Sequence, residues 1–373
     1  MNKITVDSFG LNQHLDNERL VLGLDAEVVP LLRGKKPRFP HQVRLQQIRP
    51  NKEHSPTYLK RWSDPVGDWH GDGFAFEVCT APTSCLDDMM RKLHTLFTLL
   101  GRSLQLNWTE KRDRILLNAP TLYHIPPRVY DSVPGDIKKL GCALSFNVYD
   151  DPGDPNSLGK QRTTGCHLHI SHSFLNNEMS SNVVKWADIL VGNTWVMISP
   201  EDPIQEARRR ESYGRAGEFR RNTYPANGVY PRSTGVEYRV LPGRVLTHPA
   251  YLTLMFNLYR QAVYLTHREG APPTKYTDMA REAINRSDRE AAAKLYGALE
   301  VSKNVDQIIT WYRDNPLPVL SLSQWNYLAS NYVGFRSYYI SGSAIIDDTY
   351  YPYETNYHRI ILSRIRKEKE GRK

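Results

Sequence analysis

Cysteine is scarce in this chain, with four in 373 residues. Cys79, Cys85, Cys142 and Cys166 form no CxxC pair, and their spacing matches no zinc motif. So few thiols favour a reduced compartment, the cytoplasm, over a disulfide scaffold. Long apolar runs are also missing. No stretch approaches the roughly 18 residues of a membrane helix, so no membrane partner is expected. No charged-then-apolar leader opens the sequence, and no secretory signal is expected. The GxxxxGK[ST] phosphate loop is absent, and so is the GxSxG nucleophile elbow. Acidic residues are outnumbered, 40 against 49 Lys and Arg. The resulting charge of +9 suits anionic partners such as nucleic acid, nucleotide or acidic small molecules, and equally a solvated basic surface.

What is present describes a globular chain, 40% apolar and 24% charged, without an internal repeat or a long linker. Strands are expected over 20–30, 73–80, 141–149 and 166–171, and around 236–240. Helices are expected over 84–104, 183–198, 249–268, 277–299 and 304–313. Ser84, with Asp87 three positions later, resembles a capping-box start. Residues 31–71 read as surface loops, with Asp72-Gly73 as a turn, and 150–164 as a turn-rich loop. Residues 200–233 read as an irregular arginine-rich stretch. The Tyr-rich segment from 331 ends in a basic run from Arg364 to Lys373 that reads as a solvated tail. Early strands, late helices and polar alternation within the strands predict an α+β fold with a mainly antiparallel sheet. One domain is expected over 1–373, with its motifs in 20–245 and a helical part in 249–330.

Four strands carry the candidate chemistry. Strand side chains alternate between faces. Leu22, Leu24, Ala26 and Val28 therefore oppose Asp25 and Glu27, while Phe74, Phe76 and Val78 oppose Glu77. Cys166, Leu168 and Ile170 oppose His167, His169 and Ser171, and Val236, Tyr238 and Val240 oppose Glu237 and Arg239. A sheet lining a charged cavity follows if the polar faces share a side. Asp25 and Glu27 suit a hard cation, which needs oxygen ligands on a rigid support; a solvent-facing acidic alternation is the plainer alternative. Glu77, inside an apolar strand, must reach solvent or a partner. His167 and His169 can bind metal or phosphate, or simply hydrogen-bond. His172 lies off the pattern and reads as structural. Between 208 and 244 stand nine arginines and no lysine. Arginine presents a planar fork matched to phosphate and carboxylate oxygens. A basic surface loop touching nucleic acid is the other reading of that stretch.

Taken together, Asp25-Ala26-Glu27, Glu77, Gly165-Cys166-His167-Leu168-His169 and Gly235-Val236-Glu237-Tyr238-Arg239 resemble the ordered motifs of the glutamine synthetase-like carboxylate–amine ligases. Within them, the pattern is most similar to the phage-type COOH–NH2 ligase group of amidoligases. The resemblance covers roughly residues 20–245. It implies a funnel over an antiparallel sheet that holds ATP and two or three Mg2+ or Mn2+ ions. A γ-phosphoryl group passes to a substrate carboxylate, and an amine then displaces phosphate to give an amide. By the same resemblance, Asp25, Glu27, Glu77, His167 and Glu237 are metal ligands. His167, His169, Arg220 and Arg239 contact nucleotide or phosphate, while Arg215, Arg239 and Glu237 serve catalysis. The expected partners are a small-molecule or peptide carboxylate and an amine donor, in a cytoplasmic protein of phage or bacterial origin. Such relatives often form rings, although nothing in the sequence marks a closing interface. The first strand carries Asp-x-Glu where many members carry Glu-x-Glu, and further acidic ligands on a central strand have no clear equivalent.

Two rival functions use the same residues. A metal-dependent hydrolase or nuclease would work from His167, His169 and the carboxylates without ATP. A nucleic-acid-binding protein would use the arginine-rich stretch and the basic tail, but would leave carboxylates facing a phosphate backbone.

Overall fold

The computed structural model describes residues 5–6, 20–32, 36–37, 39, 66–84, 86–107, 115–116, 118–133, 138, 145–154, 157–172, 175–224, 233–301, 303–332 and 367. Cys85, Cys142, Arg232 and the expected basic tail, Lys367 aside, lie outside them, as does most of 31–65. Seven strands form the main sheet. They are β1 (Val21–Val28), β2 (Gly67–Asp72), β3 (Ala75–Thr80), β4 (Phe146–Asn147), β5 (Cys166–His172), β6 (Glu218–Tyr224) and β7 (Ser233–Tyr238). Their order is β2-β3-β1-β5-β7-β6-β4, and every neighbouring pair is antiparallel. With its helices this makes an α+β fold built on a large antiparallel sheet.

The alternation read from the sequence sets which face packs. Leu22, Leu24, Ala26 and Val28 of β1 are buried in one cluster with Phe76 and Val78 of β3. Leu168 and Ile170 of β5 and Val236 and Tyr238 of β7 join them there. Phe74 does not; it sits in the turn before β3 and belongs to a smaller cluster with Val29, Phe39 and Ile125. Against the apolar face lies α1 (Leu86–Asn107), whose Met89, Leu93, Leu96, Phe97, Leu100 and Leu104 recur at helical spacing and are buried. Full burial of each such side chain contributes about 1.5–3 kcal/mol.

The following helices are α2 (Asn177–Ala187), α3 (Asn193–Ile198), α4 (Pro203–Ser212), α5 (Pro249–Glu269), α6 (Thr274–Arg286), α7 (Arg289–Gly297), α8 (Lys303–Asp314) and α9 (Leu322–Tyr332). Helix α5 is buried along nearly its whole length. The C-terminal helices share the sheet's core. Trp325 of α9 meets Phe97 edge-on, with ring centroids 4.8 Å apart, and donates its indole N–H to the Leu246 carbonyl.

Several expected boundaries are corrected. The stretch 200–233 contains α4 and β6, so its arginines are not in one loop. Helix α4 starts at Pro203 with the Asp202 side chain accepting from the Ile204 N–H, a start signal present in the sequence. The expected helix at 277–299 is two. Ser287 takes a left-handed backbone (φ 51°), and Asp288 then caps α7 by accepting from Glu290 and Ala291. The helix expected at 183–198 begins earlier, under an Asn176 cap, and runs through a π-helical turn, Asp188–Gly192. There the Asp188 carboxylate accepts from the Tyr238 hydroxyl at 2.8 Å. Strand β2 falls within what read as loops; it pairs with β3 through a turn at Gly73 (φ 55°). Of the strand expected at 141–149, only Phe146–Asn147 is paired among the described residues.

Candidate active site on the polar face of the sheet

Antiparallel register turns four separate motifs into one surface. Asp68 of β2 stands opposite Cys79 of β3, Cys79 opposite Asp25 of β1, and Asp25 opposite His167 of β5. In the adjoining row His70 stands opposite Glu77, and Glu77 opposite Glu27. On the other flank His169 stands opposite Glu237, and Glu237 opposite Arg220 of β6. The structure thus brings Asp25, Glu27, Glu77, His167, His169, Arg220, Glu237 and Arg239 to one face. Glu27, Glu77, His167, His169, Glu237 and Arg239 are buried, while Asp25 and Arg220 are partly exposed.

Donor atoms gather in overlapping sets. One ligand atom from each of Asp25, His169 and Glu237 lies within 4.8 Å of the others. The same holds for Glu27, Glu77 and His167, and for Asp25, Glu77 and Cys79. The Glu27 carboxylate accepts from the Gly165 N–H at 2.6 Å. Burial first, then the charges of Asp72 and Glu77, push its pKa up to about 8. Glu77 is also raised by burial, although His70 opposes this from 2.9 Å. Burial works against a charge on Asp25, but His169 at 3.1 Å outweighs it and holds that carboxyl well below the usual range.

Around Glu237 the groups close a ring. Arg239 donates to the Glu237 carboxylate and to the Tyr213 hydroxyl, whose ring lies 5.1 Å beneath the guanidinium. With its oxygen accepting from Arg239, the Tyr213 hydroxyl is left to donate to His167 Nε2 at 2.6 Å. His167 Nδ1 then faces Glu237 at 3.5 Å. Burial and the nearby Arg239 push the His167 pKa well down, so its ring is a neutral imidazole. Asn222 donates to Glu237 at 3.3 Å, and Arg220 lies 3.7 Å from it.

The arginines divide by role. Arg209 and Arg210 are buried, and hold the carbonyls of Val240, Leu241 and Gly214 together with the Glu206 carboxylate. Arg244 pairs with Glu201 at 3.2 Å, and Arg208 pairs with Glu211. Arg215 is not at the cluster of carboxylates. Its guanidinium is bound to Asp151 at 2.6 Å, beside Arg281. A basic surface built from all the arginines therefore does not form.

Sequence reading missed Asp68, His70, Cys79, Tyr213 and Glu218. The alternation in Gly67-Asp68-Trp69-His70-Gly71-Asp72 was a usable signal for the first two, since Trp69 is buried on the opposite face. Tyr213 follows α4, and nothing local announced it. Glu218 accepts from the N–H groups of Gly214 and Arg215, so it shapes the turn leading into β6. Burial disfavours a charge on His70, but hydrogen bonds and charge from Asp68 and Glu77 outweigh it and raise its pKa to about 10.

No family model matches the chain, and no curated protein does. Among solved structures, it is similar to the crystal structure of a bifunctional glutathione synthetase from Pasteurella multocida, at 12% identity and a TM-score of 0.32. The match covers 84% of this chain and 52% of that one, so the chain spans about half the length of that protein. A likeness at that score carries no argument about activity. Among the described residues, no helix is long and apolar enough to cross a membrane.

Proposed function

We propose that this face is the active site of an ATP- and Mg2+-dependent carboxylate–amine ligase with a glutamine synthetase-like sheet. The observation that carries the reading is the cross-strand array itself: Asp25, Glu27, Glu77, His169 and Glu237 beside Arg239 and Arg220 on one face. Glu27 supports a cation there, because burial and the charges of Asp72 and Glu77 outweigh the Gly165 N–H and Arg239 and leave its carboxylate short of positive charge. The donors are mostly oxygens, as Mg2+ or Mn2+ requires. Asp25, Glu27, Glu77, His167 and Glu237 would hold the ions, with His169 as a further donor beside Asp25 and Glu237. Bound there, Mg2+ would neutralise the phosphate oxygens of the nucleotide.

The reaction class needs three things from the chain. Arg239 and Arg220 supply fixed positive charge for a transferring phosphoryl group, and Glu237 aims both guanidiniums. Tyr213 and His167 lock that arrangement from the other side. A substrate carboxylate oxygen attacks the γ-phosphorus and ADP leaves. An amine then attacks the acyl carbon, loses a proton, and phosphate leaves. Arg215 remains a candidate for substrate carboxylate only if it gives up Asp151.

The test is calorimetric titration with ATP in Mg2+ and then in EDTA, followed by phosphate release with acid and amine pairs. Binding is expected to need Mg2+ and to be lost in Glu237→Gln and Arg239→Ala. Near-wild-type turnover by a folded Glu237→Gln protein would sink the assignment. Metal-dependent cleavage without ATP would favour the hydrolase, and steeply salt-dependent nucleic-acid affinity would favour the binding protein.

A further inference from the structure

We propose that Asp68, His70 and Cys79 form a second metal site, adjoining the oxygen-rich set and selective for a thiophilic ion such as Zn2+. The β2–β3 hairpin builds it. Asp68 and Cys79 are direct cross-strand partners, and His70 lies two residues along β2 on the same face. One carboxylate oxygen, one imidazole nitrogen and the sulfur all lie within 4.8 Å of one another. Three protein ligands of these kinds leave a fourth tetrahedral position open, the arrangement of an accessible zinc site. The orientation of His70 fits the same purpose. Its Nδ1 faces Asp68 at 3.8 Å, while Nε2 is held by Glu77 at 2.9 Å. On binding, the ion displaces the Nδ1 proton that faces Asp68, and the Nε2–H still donates to the Glu77 carboxylate, the second-shell contact that orients a metal-binding imidazole. The three residues are partly exposed, so an ion can enter.

Donor chemistry separates this site from its neighbour. Mg2+ takes oxygen ligands, whereas sulfur and imidazole favour Zn2+ and Co2+. Cys79 is the one described thiol on this face; Cys166 is buried on the other. None of the three residues was needed for the ligase reading, so a failed ligase assay would leave this proposal standing.

The probe is Co2+, titrated into the full-length, EDTA-stripped protein carrying Cys85→Ser and Cys142→Ser. A thiolate-to-Co2+ charge-transfer band is expected in the near ultraviolet, saturating at a single ion per chain. Zn2+ should abolish it, and excess Mg2+ should not. Cys79→Ser should remove the band. Asp68→Asn and His70→Asn should each weaken binding about tenfold or more, with an unchanged far-ultraviolet circular dichroism spectrum as the check on folding. Absence of the band, its persistence in Cys79→Ser, or its displacement by Mg2+ would overturn the proposal. If Cys79→Ser does not fold, unchanged Co2+ affinity in Asp68→Asn and His70→Asn would overturn it equally.

Discussion

Glu27→Gln should make the metal-free protein more stable at alkaline pH and leave it nearly unchanged at acid pH. Glu27 is 7% exposed, faces Glu77 across the strands, and has its pKa raised from an ordinary 4.5 to about 8. The folded protein therefore keeps a proton that the unfolded chain releases. Between those two values the native state binds more protons, so stability is full below pH 4.5 and is lost as pH rises through 8. Each pH unit across that window removes about 1.4 kcal/mol, and the whole window removes on the order of 5 kcal/mol at most. Glutamine cannot ionise, yet its carbonyl can still accept from Gly165 as the carboxylate does. Urea unfolding of both proteins in EDTA, from pH 5 to pH 9, measures the difference. The stability gap should be small at pH 5 and reach several kcal/mol at pH 9. A gap that does not change with pH would refute the reasoning, because no other ionisable group differs between the two proteins.

Tyr213→Phe removes the hydroxyl shared by Arg239 and His167 and should cost about 1–3 kcal/mol in urea unfolding; a neutral result would show that the ring is not a stabilising unit. Gly165→Ala places a methyl 2.2 Å from His167 Nε2, so it should destabilise by about 1–3 kcal/mol and shift the His167 imidazole resonances. Unchanged resonances would contradict the packing described. Asp288→Ala removes the cap of α7 and should cost about 1 kcal/mol; no loss would mean that packing alone holds that helix start.

The strand faces were legible because a two-residue period needs no knowledge of neighbours. Leu22, Leu24, Leu168 and Ile170 had to share a side, and Asp25, Glu27, His167 and His169 the other. The long apolar stripes of α1 and α5 were legible for the same reason. Strand β2 was not, because Gly67 to Asp72 holds a single large apolar residue, Trp69, between polar ones. Helix α4 was hidden too. Its buried face includes Glu206, Arg209 and Arg210, held by ion pairs and backbone carbonyls rather than by an apolar stripe. The break at Ser287 depends on one left-handed residue inside a helical pattern.

From the sequence alone came the inventory of chemistry and the face each group occupies. Only the tertiary structure decided which groups meet, since register belongs to a pair of strands and not to either one. It set Asp25 opposite His167, Glu27 opposite Glu77 and Glu237 opposite both His169 and Arg220. It also sorted the arginines. Arg239 reached the carboxylates, Arg209 and Arg210 went into the core, and Arg215 went to Asp151. Composition cannot make that division, because a guanidinium binds a carbonyl, a carboxylate or a phosphate with the same fork, and position alone selects among them.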